Sequence, residues 1–247
     1  MMVRALIWSF FVLILVSCKK SEDRACWKST GEETSVEMQV DPFSKVFLHE
    51  HIEYVLVQDS VEKIVITGGK NLVNFIKVDF VDGFLDVKNE NKCFFLRSYK
   101  KKIRAEIHFK QINEIIFEGT EPLTNQGLLE FNWLNILIRD GAGSVKLNFK
   151  AESIFATISH GWGDFTFTGH TKQANFNIRS NGFCDTYGLT VADSLTVVSN
   201  TQGITKINAN GVKLKAQIDT GGDIFYKGTP FSVKLNQYGE GQLIDAN

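Results

Sequence analysis

The chain has little proline, few cysteines and almost no net charge. Its 247 residues include 3 prolines, 4 cysteines and 27 basic against 28 acidic side chains. Charges this evenly balanced create no long-range field that would attract nucleic acid, so we expect no nucleic-acid partner. The sequence also lacks a Cys-x-x-Cys motif and a second cluster of histidines. We therefore predict no metal site and no other cofactor.

Long apolar runs are also absent, apart from one near the N-terminus. After Arg4, residues 5–16 are apolar except for Ser9, which is shorter than the roughly 20 residues needed to cross a bilayer. We interpret residues 1–17 as a signal peptide. The segment 15–18, Leu-Val-Ser-Cys, is similar to a lipobox, at which bacterial lipoproteins are lipidated on cysteine and cleaved. This predicts membrane attachment through lipid on Cys18; the alternative is an ordinary secretory signal followed by an unrelated cysteine.

Residues 18–35 are interpreted as a polar tether. Lys19 is not the aspartate that retains lipoproteins at the inner membrane of enteric bacteria, so we expect the outer membrane of a Gram-negative cell envelope. Whether the protein faces the surface or the periplasm stays open. Exported proteins can form disulfides. The three cysteines after Cys18 allow three single pairings, of which we favour Cys26 with Cys93, leaving Cys184 as a packed free thiol.

The composition favours β structure, since the chain is rich in valine, isoleucine and threonine and contains 20 phenylalanines and 20 glycines. Branched and aromatic side chains suit strands, and glycine suits tight turns. Residues 36–247 are predicted to form the head domain, and residues 36–125 to form its N-terminal strands. Short alternating segments predict strands at 46–48, 54–58, 63–67, 76–80, 84–88, 103–109 and 114–118.

A repeat follows in residues 126–247. Each repeat has an alternating apolar strand before a glycine-containing turn, and successive turns begin 20, 21, 19, 19 and 19 residues apart. The turns begin at Asp140, His160, Asn181, Asn200, Asp219 and Tyr238. A constant period predicts an all-β fold in which a parallel β-helix has about 20 residues per rung. The N-terminal strands would continue this solenoid or cap it. The rival fold is an antiparallel meander.

Several segments in order resemble one known family. They are residues 42–46, 69–72, 91–101, 222–230 and 239–241. They are similar to the putative auto-transporter adhesin, head GIN domain family. The resemblance implies a right-handed, single-stranded β-helix on an exported and often lipid-anchored protein, and implies little about activity. The family's usual Ser-Gly-x-Gly corners are altered at 181–184 and 200–203, so we expect irregular middle rungs.

One corner combines three side chains that could contact a glycan. His160, Trp162 and Asp164 lie within five residues, and Trp162 could stack on a sugar ring. The alternative is that Trp162 only covers its neighbours at the corner. His49 and His51 are two residues apart on a predicted strand, but no third metal ligand accompanies them, so they are interpreted as ordinary strand residues.

Two short matches to an O-glycosylation acceptor sequence centre on Ser60 and Ser194, each preceded by aspartate. We retain both as candidate modification sites.

No motif places a Ser/His/Asp set, a Cys/His pair or two close carboxylates together, so we predict no catalytic residues. The sequence favours a lipid-anchored, non-enzymatic adhesion or interaction module of the cell envelope. Its partners would be the membrane through the lipid, and a glycan or an envelope protein. A homo-oligomer is a further expectation, because the ends of a β-helix are exposed sheet edges. The alternatives are a polysaccharide-active β-helix enzyme and a periplasmic structural lipoprotein.

Overall fold

The computed structural model describes residues 29–92 and 102–247. The fold is all-β, with 64% strand and 2% helix, and forms a β-solenoid of about 7 turns whose parallel bridges join residues about 20 positions apart. This confirms the predicted parallel β-helix over the antiparallel meander. Within the described ranges no helix is long and apolar enough to cross a membrane. The predicted signal peptide, Cys18, Cys26 and Cys93 lie outside the described residues.

The described residues of the N-terminal half form nine short strands and one helical turn, α1 (Lys70–Val73). The strands are β1 (Glu33–Gln39), β2 (Lys45–Leu48), β3 (Glu53–Gln58), β4 (Lys63–Gly69), β5 (Ile76–Val81), β6 (Phe84–Asn89), β7 (Arg104–Phe109), β8 (Glu114–Phe117) and β9 (Leu123–Gln126).

Longer strands follow, and several continue through the corners of a rung. They are β10 (Leu129–Ile138), β11 (Ser144–Ile158), β12 (Asp164–Ser180), β13 (Phe183–Thr201), β14 (Thr205–Asn208), β15 (Lys213–Ile218), β16 (Ile224–Lys227), β17 (Ser232–Gln237) and β18 (Leu243–Asp245).

Equivalent positions of successive rungs lie above one another and form columns. One inward column runs from Ile154 on β11 to Ala174, Leu195 and Leu214 on the next three rungs. All four side chains are buried, whereas the residues beside them point outwards. Alternation with period two therefore sends every second side chain into the core, as the sequence pattern predicts.

Phenylalanines fill the middle of the core. Phe109, Phe131, Phe149 and Phe167 form a row of neighbouring rings through the core, with successive ring centroids 6.3, 6.3 and 5.4 Å apart. Each is buried. This row of aromatic rings gives each of its rungs a large apolar area that only the neighbouring rungs can cover.

Close stacking explains the glycines at the corners. A Cβ atom at Gly141 would lie 2.3 Å from the carbonyl oxygen of Gly119 on the rung below. The altered corner at 200–203 is closed in another way, because the buried Thr201 hydroxyl donates to the Gly182 carbonyl oxygen (3.0 Å) and accepts from the Gly203 amide (2.9 Å). The expected irregularity is present in these middle rungs, between β12 and β13, but not at the altered corners. The register shifts between β12 and β13 lie elsewhere, at residues 166–168 and 171–173.

The chain does not build its first rungs in sequence order. Strands β2 and β3 form one rung, and the later strands β6 and β7 stack beneath it in parallel. Strands β8 and β9 stack on the other side of β2 and β3. Antiparallel strands then close the lower end, since β4 covers β7, β1 covers β4 and β5 covers β6. The N-terminal strands therefore both continue the solenoid and cap it.

The opposite end has no such cap within the described residues. Strand β17 pairs with β15 and strand β18 with β16, and each leaves its other edge unpaired. Val233 and Leu235 continue inward columns, yet they are 49% and 41% exposed. The core columns thus reach solvent at the last rung.

Candidate binding surfaces of the solenoid

The predicted glycan-contact residues lie at one corner but do not form a common cavity. Trp162 is 65% exposed in the turn between β11 and β12, and its backbone amide donates to the Gly141 carbonyl oxygen (3.1 Å). His160 is also exposed. Asp164 accepts a hydrogen bond from the Ser144 hydroxyl (2.6 Å). Trp162 therefore has a free apolar face, whereas the carboxylate of Asp164 is engaged by the neighbouring rung.

A shallow cavity of about 250 Å³ adjoins this corner. Of the three predicted residues, only Asp164 lines it. The other lining residues include the exposed Phe183 and Ile204, together with Asp185 and Lys206. Lys206 Nζ lies 3.7 Å from Asp185 Oδ2, so the two charges compensate each other across adjacent rungs.

The two candidate glycosylation serines differ in accessibility. Ser60 is exposed in the turn between β3 and β4, where its amide donates to Asp59 Oδ1 (2.6 Å). Ser194 is partly buried within β13, between neighbouring rungs that it pairs with. Asp193 beside it accepts a hydrogen bond from Lys213 Nζ (3.2 Å), which lowers the pKa of its carboxyl group. Of these two candidate serines, Ser60 is the more accessible.

His49 belongs to a line of hydrogen-bonding and ionisable side chains that crosses four rungs. Its Nε2 donates to Asp86 Oδ1 (2.6 Å), and Glu118 on the next rung accepts from Arg139 Nε (2.7 Å). His49 Nδ1 lies 3.7 Å from Glu118 Oε2. His51 is turned away, with a backbone φ of 64° and its amide donating to the Thr120 hydroxyl. No group of three potential metal ligands is present in residues 29–92 and 102–247.

Cys184 is a buried free thiol, as predicted. Burial raises the pKa of this thiol well above its usual value. A thiol that stays protonated is a poor nucleophile, so Cys184 acts as a small apolar core residue.

The sequence reasoning missed a groove along a different corner, which we call the corner groove. It follows the corner that precedes β8 and lies within β10, β11, β12 and β13. Two adjoining cavities of about 490 and 210 Å³ share Gln111 and Asn132. Their lining residues are Ser44, Gln111, Ile112, Asn113, Glu130, Phe131, Asn132, Trp133, Lys150, Ala151, Glu152, His170, Lys172 and Ala192.

The lining of the corner groove combines polar and apolar side chains, and its charges are balanced. Lys172 Nζ lies 3.5 Å from Glu152 Oε2 on the rung below. Lys150 stands in register between Glu130 and His170. The signal for this corner is present in the sequence, because Gln111, Asn132, Glu152 and Lys172 are 21, 20 and 20 residues apart. This signal is weaker than that of the glycine-containing turns, because these four side chains have only their polarity in common.

Comparison with known proteins gives relatives of the same fold. A putative adhesin from Bacteroides fragilis NCTC 9343 superimposes with a TM-score of 0.76 at 22% identity, covering 85% of this chain and 95% of that one. A putative adhesin from Parabacteroides distasonis ATCC 8503 gives 0.64 at 19% identity, over 86% and 96% of the two chains. A protein from the same organism called a putative lipid binding protein gives 0.65 at 14% identity, over 87% and 98%. At these identities the likeness shows the fold alone.

No curated protein matches the sequence. A family model does, over residues 42–230, which include both the reordered N-terminal rungs and most of the regular ones. The match agrees with the segments that carry the resemblance in the sequence. The chain belongs to the putative auto-transporter adhesin, head GIN domain family.

Proposed function

We propose that the protein is a lipid-anchored, non-enzymatic adhesion or interaction module of the outer membrane. The observation that carries this proposal is the solenoid itself, which presents continuous columns of polar side chains on a rigid core. Exposed ion pairs join neighbouring rungs, such as the pair between Lys213 Nζ and Asp193 Oδ1 (3.2 Å). Such pairs contribute little stability, but they keep a flat surface hydrated and ready to exchange water for a ligand's hydrogen bonds.

The lipid anchor is supported by the lipobox-like residues 15–18 and by the spacing that follows. Residues 19–32 separate Cys18 from the first strand of the described residues, which begins at Glu33. Fourteen residues can span at most about 50 Å when fully extended. The head would therefore have room to stand clear of the lipid headgroups and to contact a glycan or an envelope protein.

A polysaccharide-active enzyme is the second candidate, and one observation favours it. The corner groove brings two glutamates, two lysines and a histidine to one side of the solenoid. Against it, Glu152 is paired with Lys172, and the groove is shallow and open rather than walled by long loops. Release of shortened chains from a polysaccharide by the purified protein would decide for the enzyme.

An adhesion assay tests the first proposal. Cells carrying the wild-type protein, Cys18→Ala or Trp162→Ala are compared for attachment to polysaccharide-coated surfaces and to one another. We expect Cys18→Ala to abolish attachment, because the head is no longer held at the membrane. We expect Trp162→Ala to weaken it, because an exposed tryptophan face is lost. Phe80→Ala is the matched control, since Phe80 is a 48% exposed aromatic residue in the N-terminal cap.

Unchanged attachment in both Cys18→Ala and Trp162→Ala cells would refute the adhesion proposal. Protease treatment of intact cells, with a C-terminal tag for detection, then separates the two orientations. Cleavage without lysis would support contact with glycans outside the cell. Full protection would favour the periplasmic structural lipoprotein.

A further inference from the structure

We propose that the corner groove is a binding site for an uncharged oligosaccharide chain, with Trp133 as the surface on which a sugar ring stacks. This inference rests on the proposed adhesion function and names its ligand class and its site. The site is separate from the Trp162 corner, and it is built from residues that recur once per rung.

Trp133 has the position expected of a stacking residue. It is 46% exposed on an outward position of β10, so its ring is not used to fill the core. It lines the smaller cavity of the corner groove together with Gln111, Asn113 and Asn132. A sugar ring has apolar C–H faces and a polar rim, and an exposed indole surrounded by amides complements both parts.

The three amides supply the polar contacts. Each carries one carbonyl acceptor and one NH₂ donor, and a sugar hydroxyl both donates and accepts. Asn113 provides the most specific observation, because its Oδ1 atom is buried and has no hydrogen-bond partner among the described residues. Buried polar atoms are nearly always paired. A ligand hydroxyl in the adjoining cavity would pair this acceptor.

The shape and charge of the corner groove restrict the ligand further. The groove crosses six consecutive rungs, from Ser44 before β2 to Ala192 on β13. At about 4.8 Å per rung this is a length of about 24 Å, which suits a chain of sugars rather than one ring. Its lining contains two lysines and two glutamates, so the site offers no excess charge to attract a polyanion. Carboxylate and ammonium groups at this spacing can still bond hydroxyls.

Binding to defined polysaccharides tests the inference. The purified full-length chain is run in gels that contain a neutral glucan, mannan or galactan, and the affinity for any polysaccharide that retards it is measured by calorimetry. We expect Trp133→Ala to weaken binding at least about tenfold, as for the loss of a central aromatic contact. Phe155→Ala is the matched control, because Phe155 is equally exposed, at 46%, on the next rung and does not line the corner groove. We expect it to change affinity less than about twofold.

Asn113→Leu separates a ligand role from a structural one. Removing an unpaired buried acceptor should leave the melting temperature unchanged or raise it, whereas it should weaken binding at least about fivefold if a hydroxyl pairs with Oδ1. Weaker binding together with an undiminished melting temperature supports the site. Weaker binding accompanied by a lower melting temperature would count against the site, because the variant would then bind less only because it is less folded.

The outcomes distinguish this inference from the proposed function. If polysaccharide binding is lost in Trp162→Ala and kept in Trp133→Ala, the corner groove is not the site, although adhesion through a glycan stands. If cells attach but none of the neutral polysaccharides binds, the inference also fails and the adhesion proposal survives. If Trp133→Ala loses binding and the wild-type protein shortens the chains, the groove is a carbohydrate site and the non-enzymatic proposal is wrong.

Discussion

The two ends of the solenoid solve the same physical problem in different ways. A stack of rungs must finish somewhere, and its last rung exposes both an unpaired strand edge and the apolar core columns. At the N-terminal end, the antiparallel strands β1, β4 and β5 cover the rung formed by β6 and β7. At the C-terminal end, Val233 and Leu235 remain half exposed at core positions. One end is therefore part of the cooperative core, and the other is a boundary where the core meets water.

Among the described residues, buried polar side chains occur in both halves, but the buried carboxylate of Asp86 lies at the capped end. Asp86 is only 6% exposed and bonds His49, and the Tyr54 hydroxyl donates towards the carbonyl oxygens of His49 (3.0 Å) and Val87 (2.9 Å). These contacts join the two rungs that are out of sequence order. Hydrogen bonds that leave no buried group unpaired help to specify one arrangement of a core. The regular rungs bury uncharged hydroxyl groups instead, at Thr171, Thr186, Ser199, Thr201 and Thr205.

The largest expected difference between the ends comes from placing a charge at each of them. Ile66 on β4 is 1% exposed, whereas Val233 on β17 is 49% exposed. Ile66→Asp would bury an unpaired carboxylate, and we expect it to cost at least about 3 kcal/mol or to prevent folding. Val233→Asp should cost less than about 1 kcal/mol, because its carboxylate stays hydrated. Urea unfolding followed by circular dichroism measures both.

Equal losses in Ile66→Asp and Val233→Asp would contradict the contrast between a closed and an open end. A mild effect of Ile66→Asp alone would mean that the antiparallel cap is not part of the cooperative unit. Ile66→Val is the control for packing, and it should cost about 0.5–1.5 kcal/mol.

Alkaline pH should destabilise the two halves through different groups. Burial raises the pKa of Tyr54, near the capped end, and that of Cys184, in the regular rungs. The folded state then keeps these protons at a pH at which the unfolded chain releases them. Stability is full below the unfolded pKa values, about 8.5 for cysteine and about 10 for tyrosine, and it falls as the pH rises above them.

Single variants separate the contributions of the two groups to this loss of stability at alkaline pH. We expect Cys184→Ala to flatten the decrease in unfolding free energy that begins near pH 8.5, and Tyr54→Phe to flatten the part that begins near pH 10. Denaturant titrations at several pH values measure the slopes. A wild-type protein whose stability does not change between neutral and alkaline pH would contradict the prediction.

The regular half could be predicted from sequence because its signal is periodic. The spacing between the turns at Asp140 and His160 gives the rung length directly. The alternating pattern of the strand after each turn predicts which side chains face inwards. The N-terminal half has equally clear strands, and the structure has one at each predicted position between 46 and 118. Their order in space could not be predicted, because alternation identifies a buried face without naming the neighbouring strand.

The candidate sites show the same limit. Trp162 is conspicuous in the sequence because it stands between two glycines, and the structure leaves it exposed. The corner groove depends on side chains about 20 residues apart that only the rung register brings together. Trp133 looks like one more apolar strand residue until the structure shows that it lies on the outward face of β10. Such a residue can be recognised as a candidate binding residue only once it is known which side chains of its strand face inwards.

The smallest expected effect concerns the surface of the open end. Phe231 is 79% exposed beside the last rung, so Phe231→Ser should change the free energy of unfolding by no more than about 0.5 kcal/mol. The matched variant at the closed end is Phe43→Ser, since Phe43 is 7% exposed and belongs to the core; it should cost at least about 3 kcal/mol. Thermal unfolding at several protein concentrations measures both. A large loss of stability in Phe231→Ser, together with a difference from the wild-type protein that becomes smaller when the wild-type protein is diluted, would contradict this expectation. It would mean that another copy of the chain covers the open end in solution, because only association makes stability depend on protein concentration.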